Sequence, residues 1–158
     1  MELSIDQLHR FLLDSNQAGY ATGEEKQWVK ENDGSTTIPY AKGPFSSHDN
    51  FFGGEPYGGR LVVSFEQKPV WIMVYYGWVE SNANTDAVYA TLRQALSQMP
   101  PDAPFRGPKE FILGSLRYTN QWIGTIERYQ GSEQIFNQDK MVYSANYMGG
   151  MVDQRSGV

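Results

Sequence analysis

The chain contains no cysteine, which removes disulfide bridges, thiol nucleophiles, thiolate metal sites and thiol redox switching at once. Imidazole is almost as scarce: His9 and His48 are the two histidines among 158 residues. A histidine-built zinc centre is therefore not expected, and composition leaves only carboxylates for a hard cation. Neither a metal nor an organic cofactor is predicted. No stretch approaches the roughly 18–20 consecutive apolar residues of a membrane span. The opening MELSIDQLHRFLL lacks the basic start and long apolar run of a secretory signal. A basic surplus is also missing, since 13 Lys and Arg stand against 18 Asp and Glu for a formal charge of −5. Phosphate backbones need a concentrated positive surface. The expectation is a soluble, cytoplasmic protein that contacts neither nucleic acid nor membrane directly, leaving a small-molecule ligand or a second copy of the chain as partners.

What is present is a globular composition, 40% hydrophobic and 20% charged, in a length that suits one domain with its own core. Aromatic residues are abundant: 10 Tyr, 8 Phe and 4 Trp. Tyr and Trp join a large apolar body to a polar tip, so they suit both half-buried sheet faces and ligand pockets.

Ser4 and Gln7 have capping-box spacing, and Ile5, Leu8, Phe11, Leu12 and Ser15 follow at helical intervals, predicting a helix over 5–15 ended by Asn16 and Gly19. Ala21–Ser35 reads as a long polar loop. Strands are predicted over 36–40 and 45–52, and GGEPYGG (53–59) reads as a loop. That loop precedes a strand rather than a helix, which argues against a phosphate cradle. Leu61–Phe65 and Val70–Val79 then form a hairpin. With a turn at Gln67-Lys68, Phe65 faces Val70, Val63 faces Ile72 and Leu61 faces Val74 as an aliphatic core face. Arg60, Val62, Ser64, Trp71, Met73 and Tyr75 fall on the other face. A second helix over 86–99 stops at Pro100-Pro101. Four further strands follow, over 110–118, 122–130, 133–137 and 141–148, with turns at Asn120, Gly131 and Gln138-Asp139. Residues 151–158 read as a flexible tail.

The hairpin Tyr57–Gly77 returns as Tyr129–Gly149. At an offset of 72 the two share Tyr57/Tyr129, Gly59/Gly131, Lys68/Lys140, Val70/Val142, Tyr75/Tyr147 and Gly77/Gly149. Each copy follows a helix and about two strands, so residues 1–150 are predicted to be one α+β domain with an internal duplication, about 4–79 and 85–150. Two helix-plus-four-strand antiparallel units would share one sheet system with the helices packed on one face. Trp71, Met73 and Tyr75 would then stand in register with Tyr143, Ala145 and Tyr147, either as ordinary core or as the wall of a cavity between the halves.

No nucleophile elbow, Ser-x-x-Lys, HExxH or EF-hand pattern is present. His48-Asp49 has the composition of a catalytic dyad, but neighbours on a strand point to opposite faces and cannot bond as base and orienter. Each could act only with distant partners.

The run from Phe11 through GYATG, then FSSHDNFFGGEPYGGRLVV, KPVWIMVYYG and YSANYMGG, resembles a bacterial family labelled domain of unknown function 5680, over about residues 5–150. Members resemble one another in a Tyr or His followed by Asp and then aromatic-Gly, here His48, Asp49, Phe51, Phe52 and Gly53. They also share a Trp-x-Met-Asn-Tyr-Tyr-Gly strand, from which this chain departs with Val74 in place of Asn. Some relatives carry the domain behind a helix-turn-helix segment, which implies the sensing half of a regulator. The resemblance supplies no reaction and no ligand. Together these readings lead to a small-molecule binding or sensing module with its site near Asp49, Arg60, Trp71, Tyr75 and Tyr147. The alternatives are an enzyme with acid–base chemistry centred on Asp49 or His48, and a protein-interaction or homodimeric module.

Overall fold

The structure, a computed structural model, describes residues 2–20 and 28–155. Helix α1 (Ile5–Tyr20) begins at the capping box: Ser4 Oγ accepts from the Gln7 N–H at 3.1 Å, and Gln7 Oε1 accepts from the Ser4 N–H at 3.3 Å. The first meander follows as β1 (Val29–Lys30), β2 (Thr36–Lys42), β3 (Phe45–Phe52), β4 (Tyr57–Phe65) and β5 (Lys68–Val79). Helix α2 (Thr85–Leu96), capped by Asn84, leads through a proline-rich connection to β6 (Glu110–Leu113), β7 (Leu116–Thr125), β8 (Arg128–Asn137) and β9 (Lys140–Met151). All nine strands join one antiparallel sheet in the order β1-β2-β3-β4-β5-β9-β8-β7-β6. The meanders therefore abut through β5 and β9, where Tyr75 stands opposite Tyr147.

The two central hairpins have matching registers. Tyr57 is opposite Gly77 and Tyr129 opposite Gly149, and the ladders are irregular at Val63/Ser64 and at Ile135/Phe136. That irregularity corrects the predicted hairpin. The turn is Glu66-Gln67, both at positive φ (47° and 69°), with Phe65 opposite Lys68. Beyond the bulge Val63 faces Trp71 and Leu61 faces Met73. One residue of slip moves a strand's side chains to the other face. Trp71 and Met73 are thus buried with Val63 and Phe65, while Val74 is 41% exposed on the outer face.

Both helices cover the inner face. Leu8, Phe11 and Leu12 of α1 pack with Phe45, Val63, Phe65, Trp71 and Met73, and Val88, Leu92, Ala95 and Leu96 of α2 pack with Tyr118, Ile135, Tyr143 and Ala145. The rings of Phe11 and Phe45 stack at 5.1 Å, and Phe105 stacks on Tyr129 at 4.4 Å. Trp71 Nε1 donates to the Ile126 carbonyl at 2.8 Å, so a first-meander side chain holds the β7–β8 turn. The outer face leaves Val74, Tyr76, Ile123 and Met148 exposed. Among the described residues no helix is long and apolar enough to cross a membrane.

Several predicted boundaries move. Helix α1 continues past Ser15 to Tyr20, because Asn16 Nδ2 donates to the Leu96 carbonyl at 3.1 Å and ties α1 to the end of α2 instead of ending the helix. Helix α2 stops at Leu96 rather than Met99. Of the long loop predicted over 21–35, residues 21–27 lie outside the described residues, and Val29–Lys30 pairs with β2. Asn120 and Gly131 lie inside β7 and β8; the turns are at Gly114-Ser115 and Ile126-Glu127. The tail is held at its start, where β9 reaches Met151 and the Val152 N–H donates to the Val70 carbonyl at 2.9 Å.

Gly131 is in a strand because a ring lies across it: a Cβ there would sit 2.2 Å from Tyr147 Cζ. Gly131→Ala should cost about 1–3 kcal/mol by overpacking. Gly19→Ala, in the last turn of α1 with nothing within 4 Å of the new methyl, should be neutral or stabilise by up to about 1 kcal/mol. Urea denaturation of both variants measures the contrast, and an equal effect at the two sites would contradict it.

Candidate functional site

Strand alternation sends Phe45, Ser47 and Asp49 of β3 inward and His48 outward. Across the sheet, Tyr75 of β5 donates its hydroxyl to Asp49 Oδ1 at 2.5 Å. These two residues border a cavity of about 190 Å³ between α1, the inner face of the first meander and the α2–β6 connection. Leu12, Leu61, Trp71, Met73 and Phe105 form its apolar wall, and Ser47, Tyr20 and Arg106 add polar groups.

Arg106 comes from the connection, which carries prolines at 100, 101, 104 and 108 and turns where the Ala103 N–H donates to the Pro100 carbonyl at 3.2 Å. His9 Nε2 lies 2.6 Å from the Pro101 carbonyl and fastens that segment to α1. Arg106 Nε donates to Glu133 Oε1 at 2.6 Å, and the Glu133 side chain is wholly buried. Glu133 also accepts from the Tyr118 hydroxyl. The Gly107 N–H donates to Tyr118 Oη at 3.2 Å, Asn120 Nδ2 donates to the Gly107 carbonyl at 2.9 Å, and Tyr147 Oη donates to Asn120 Oδ1 at 2.8 Å. Arg106 Nη2 lies 3.4 Å from Tyr57 Oη, which is itself bonded to the Tyr143 hydroxyl, and the guanidinium lies 5.5 Å from the centre of the Tyr75 ring.

Burial opposes the charge of Arg106, but Glu133 and the surrounding tyrosine oxygens outweigh it and hold the guanidinium firmly protonated. Burial also raises the tyrosines. At Tyr75 the Asp49 carboxylate adds to it, and at Tyr118 the Glu133 carboxylate does. Tyr20, Tyr57, Tyr129, Tyr143 and Tyr147 are raised by burial first, and Tyr89 by burial and its bond to Glu55. These hydroxyls serve as hydrogen-bond donors and acceptors rather than phenolates. Among the described residues no group of three or more His, Asp or Glu could hold a metal ion.

Of the residues predicted for a site, Asp49, Trp71 and Tyr75 come together on the cavity wall. Tyr147 is buried beside them with its hydroxyl committed to Asn120. Arg60 does not join them: it is exposed on the outer face of β4, opposite Asn50 and Val74, because the bulge puts it out of phase with Trp71. His48 is likewise exposed on the outer face, so a His48–Asp49 pairing is absent. The 53–59 loop carries a carboxylate with local duties, as Glu55 accepts from the Val79 N–H at 2.8 Å and from the Tyr89 hydroxyl. Arg106, Glu133, Asn120 and Tyr118 were not singled out from the sequence. Glu133 had a readable signal: in Tyr129, Gly131, Glu133, Ile135 it shares the phase of residues that face inward. Arg106 had none, since a single cation among prolines reads as surface.

Fold and site together define an α+β domain in which an open antiparallel sheet, covered by two helices, carries a buried tyrosine-rich polar cluster beside a largely apolar cavity under α1. The chain belongs to DUF5680, a family described as a domain of unknown function, whose pattern matches residues 49–152. The match begins at Asp49 and spans the Arg106 and Glu133 cluster, a narrower range than 5–150, and leaves α1 outside. No curated protein and no solved structure matches the chain.

Two outcomes follow from the charges. Glu133→Gln leaves a buried guanidinium without its counter-charge and should cost about 3–5 kcal/mol in urea denaturation, whereas Arg106→Met combined with Glu133→Gln should lose less than Glu133→Gln alone. Raised tyrosines bind their protons more tightly folded than unfolded, so their contribution is intact below about pH 10 and is lost as the pH rises further. Absorbance at 295 nm should show the eight raised tyrosines ionising together with unfolding. Gradual ionisation of all ten near pH 10 in the folded chain would contradict this burial.

Proposed function

We propose that this domain is a small-molecule binding or sensing module whose ligand occupies the cavity between α1 and the sheet. The observation that carries the reading is the convergence of Asp49 and Arg106, from distant parts of the chain, on one concave space with an aromatic and aliphatic wall. Ligand sites typically combine such a wall with a few converging polar groups. The raised tyrosines and absence of a histidine beside Asp49 favour recognition over acid–base turnover.

We also read the two helix-and-meander units as diverged repeats. The matching registers and bulges of the central hairpins support this, as do Gly43 and Gly114, which turn β2 into β3 and β6 into β7 at φ of 60° and 61°. The site then lies between the halves in the sense that Asp49 and Tyr75 belong to one unit and Glu133, which steers Arg106, to the other.

A thermal-shift screen of the full chain against a metabolite library tests the reading. A ligand at about a hundred times its Kd should add about 2.7 kcal/mol of stability. Leu61→Trp, which fills the cavity, should abolish the shift while circular dichroism shows a folded chain, and Arg60→Ala on the outer face should keep it. Equal shifts in wild type and Leu61→Trp would move the site elsewhere.

A further inference from the structure

We propose that the outer face of the sheet binds a second copy of this chain, face to face, so that two sheets pack as a sandwich with the helices of both copies turned outward. The inference concerns the side of the sheet opposite the cavity and does not depend on the binding proposal.

Both helices pack on the inner face, and no helix among the described residues packs on the outer one. Strand alternation nevertheless sends large apolar side chains outward: Val74 and Tyr76 of β5, Met148 of β9 and Ile123 of β7 are 41–66% exposed. Tyr76 also lies ring to ring with Trp78 at 6.0 Å. A contiguous apolar patch beyond a few hundred Å² marks an interaction site. Charge does not break this one up. Strands β4, β5, β9, β8 and β7 together carry one acid, Glu133, and it is buried on the inner face. The outward arginines stand at the margin: Arg60 one strand outside the patch, and Arg117 and Arg128 toward opposite ends of the second meander. Tyr, Trp and Met at the centre, arginine at the rim and no Asp or Glu is the composition of a protein–protein interface. A polyanion needs a denser cationic surface than three separated arginines.

A second copy fits because the face supplies both halves of a contact with itself, as an isologous interface requires. On β8 the small residues Gly131 and Ser132 help leave an open hollow of about 780 Å³, bordered by Tyr76 and Met148 on one side and by Ile123 on the other. Ile123, at 66% the most exposed of the large apolar side chains among the described residues, is the knob for that hollow. A two-fold axis places each Ile123 in the hollow of the other copy, and the facing sheets stack about 10 Å apart with interdigitated side chains. The area suffices as well. The five strands, 9–12 residues long, span about 24 Å by about 33 Å at ordinary strand dimensions. That footprint of about 800 Å² is what one partner contributes to a stable interface. The cavity under α1 stays on the outside of the pair, so dimerisation and ligand binding are separable.

Sedimentation equilibrium on the full chain tests this. At about 10 µM the mass should be about twice 17.9 kDa. Ile123→Glu and Met148→Glu, each at a side chain already exposed in the single chain, should weaken the dimer at least about a hundredfold by placing a carboxylate in the apolar contact, with circular dichroism unchanged. Ile112→Glu, on the edge strand β6 and 59% exposed, should leave the dimer intact. A monomer at every concentration would overturn the proposal, and binding of a single-stranded oligonucleotide by that monomer, lost in Ile123→Glu, would assign the face to a polyanion instead. A dimer that survives both glutamates, or that only Ile112→Glu dissociates, would place the contact elsewhere and equally overturn it.

Discussion

The pairing of Arg106 with Glu133 is the constraint around which the inner face is arranged. A carboxylate with no solvent contact is tolerable only beside a cation and with its remaining lone pairs occupied. Arg106 provides the cation at 2.6 Å and Tyr118 occupies the second oxygen. Meeting that demand forces the α2–β6 connection down onto the sheet. Gly107 then meets Tyr118 and Asn120 there. A segment with four prolines and little hydrogen bonding of its own is thereby fixed from below by Glu133 and from above by His9. The same pair holds Arg106 at the cavity edge, so the contact that fixes the connection also places a cation there.

The tyrosines complete the arrangement through glycine. A Cβ on Gly77 would sit 2.8 Å from Tyr57 Oη, one on Gly149 2.7 Å from Tyr129 Oη, and one on Gly107 2.7 Å from Tyr118 Oη. Rings lie flat across bare backbone, which lets their hydroxyls reach inward to one another and to Arg106 without opening voids. This accounts for a chain rich in both residue types. It also explains why burial raises so many of the hydroxyls: they are satisfied within a sealed layer rather than by water.

How far the sequence could be read follows from which residues act locally. Ser4 and Gln7 announced α1, and the Gly-Pro turn announced the β2–β3 hairpin, because caps and turns are settled within a few residues. The hairpin after Tyr57 was read one residue out of phase, since period-two alternation cannot see the bulge at Val63/Ser64. That single residue misplaced both Arg60 and Val74. Gly131 was taken for a turn because its reason, the ring of Tyr147, is sixteen residues away in sequence. Asp49, Trp71 and Tyr75 fall on one cavity wall because period-two alternation in β3 and in β5 turns them to the inner face, not to the face of Arg60 that the hairpin reading gave them. Arg106 could not be found, because its role exists only once Glu133 is folded beneath it.

Comparison of the two meanders shows why the proposed site falls on one side. On the repeat proposal Tyr75 and Tyr147 are equivalents, and each donates its hydroxyl to an oxygen two strands earlier in its unit, Asp49 of β3 in one and Asn120 of β7 in the other. Asp49 is paired across the ladder with Leu61, and Asn120 with Glu133. Each unit thus carries one carboxylate at this cross-strand position, but on opposite members of the pair. In the second unit the carboxylate is consumed by Arg106 and Tyr118, and the amide of Asn120 seals the position by bonding the Gly107 carbonyl. An amide can do this because it donates and accepts, whereas Asp49 can only accept when ionised. In the first unit Leu61 and Asp49 both border the cavity. The connection that packs on one half brings its guanidinium to the cavity bordered by the other, and on the binding proposal the asymmetry between Asp and Asn separates a structural position from a binding one.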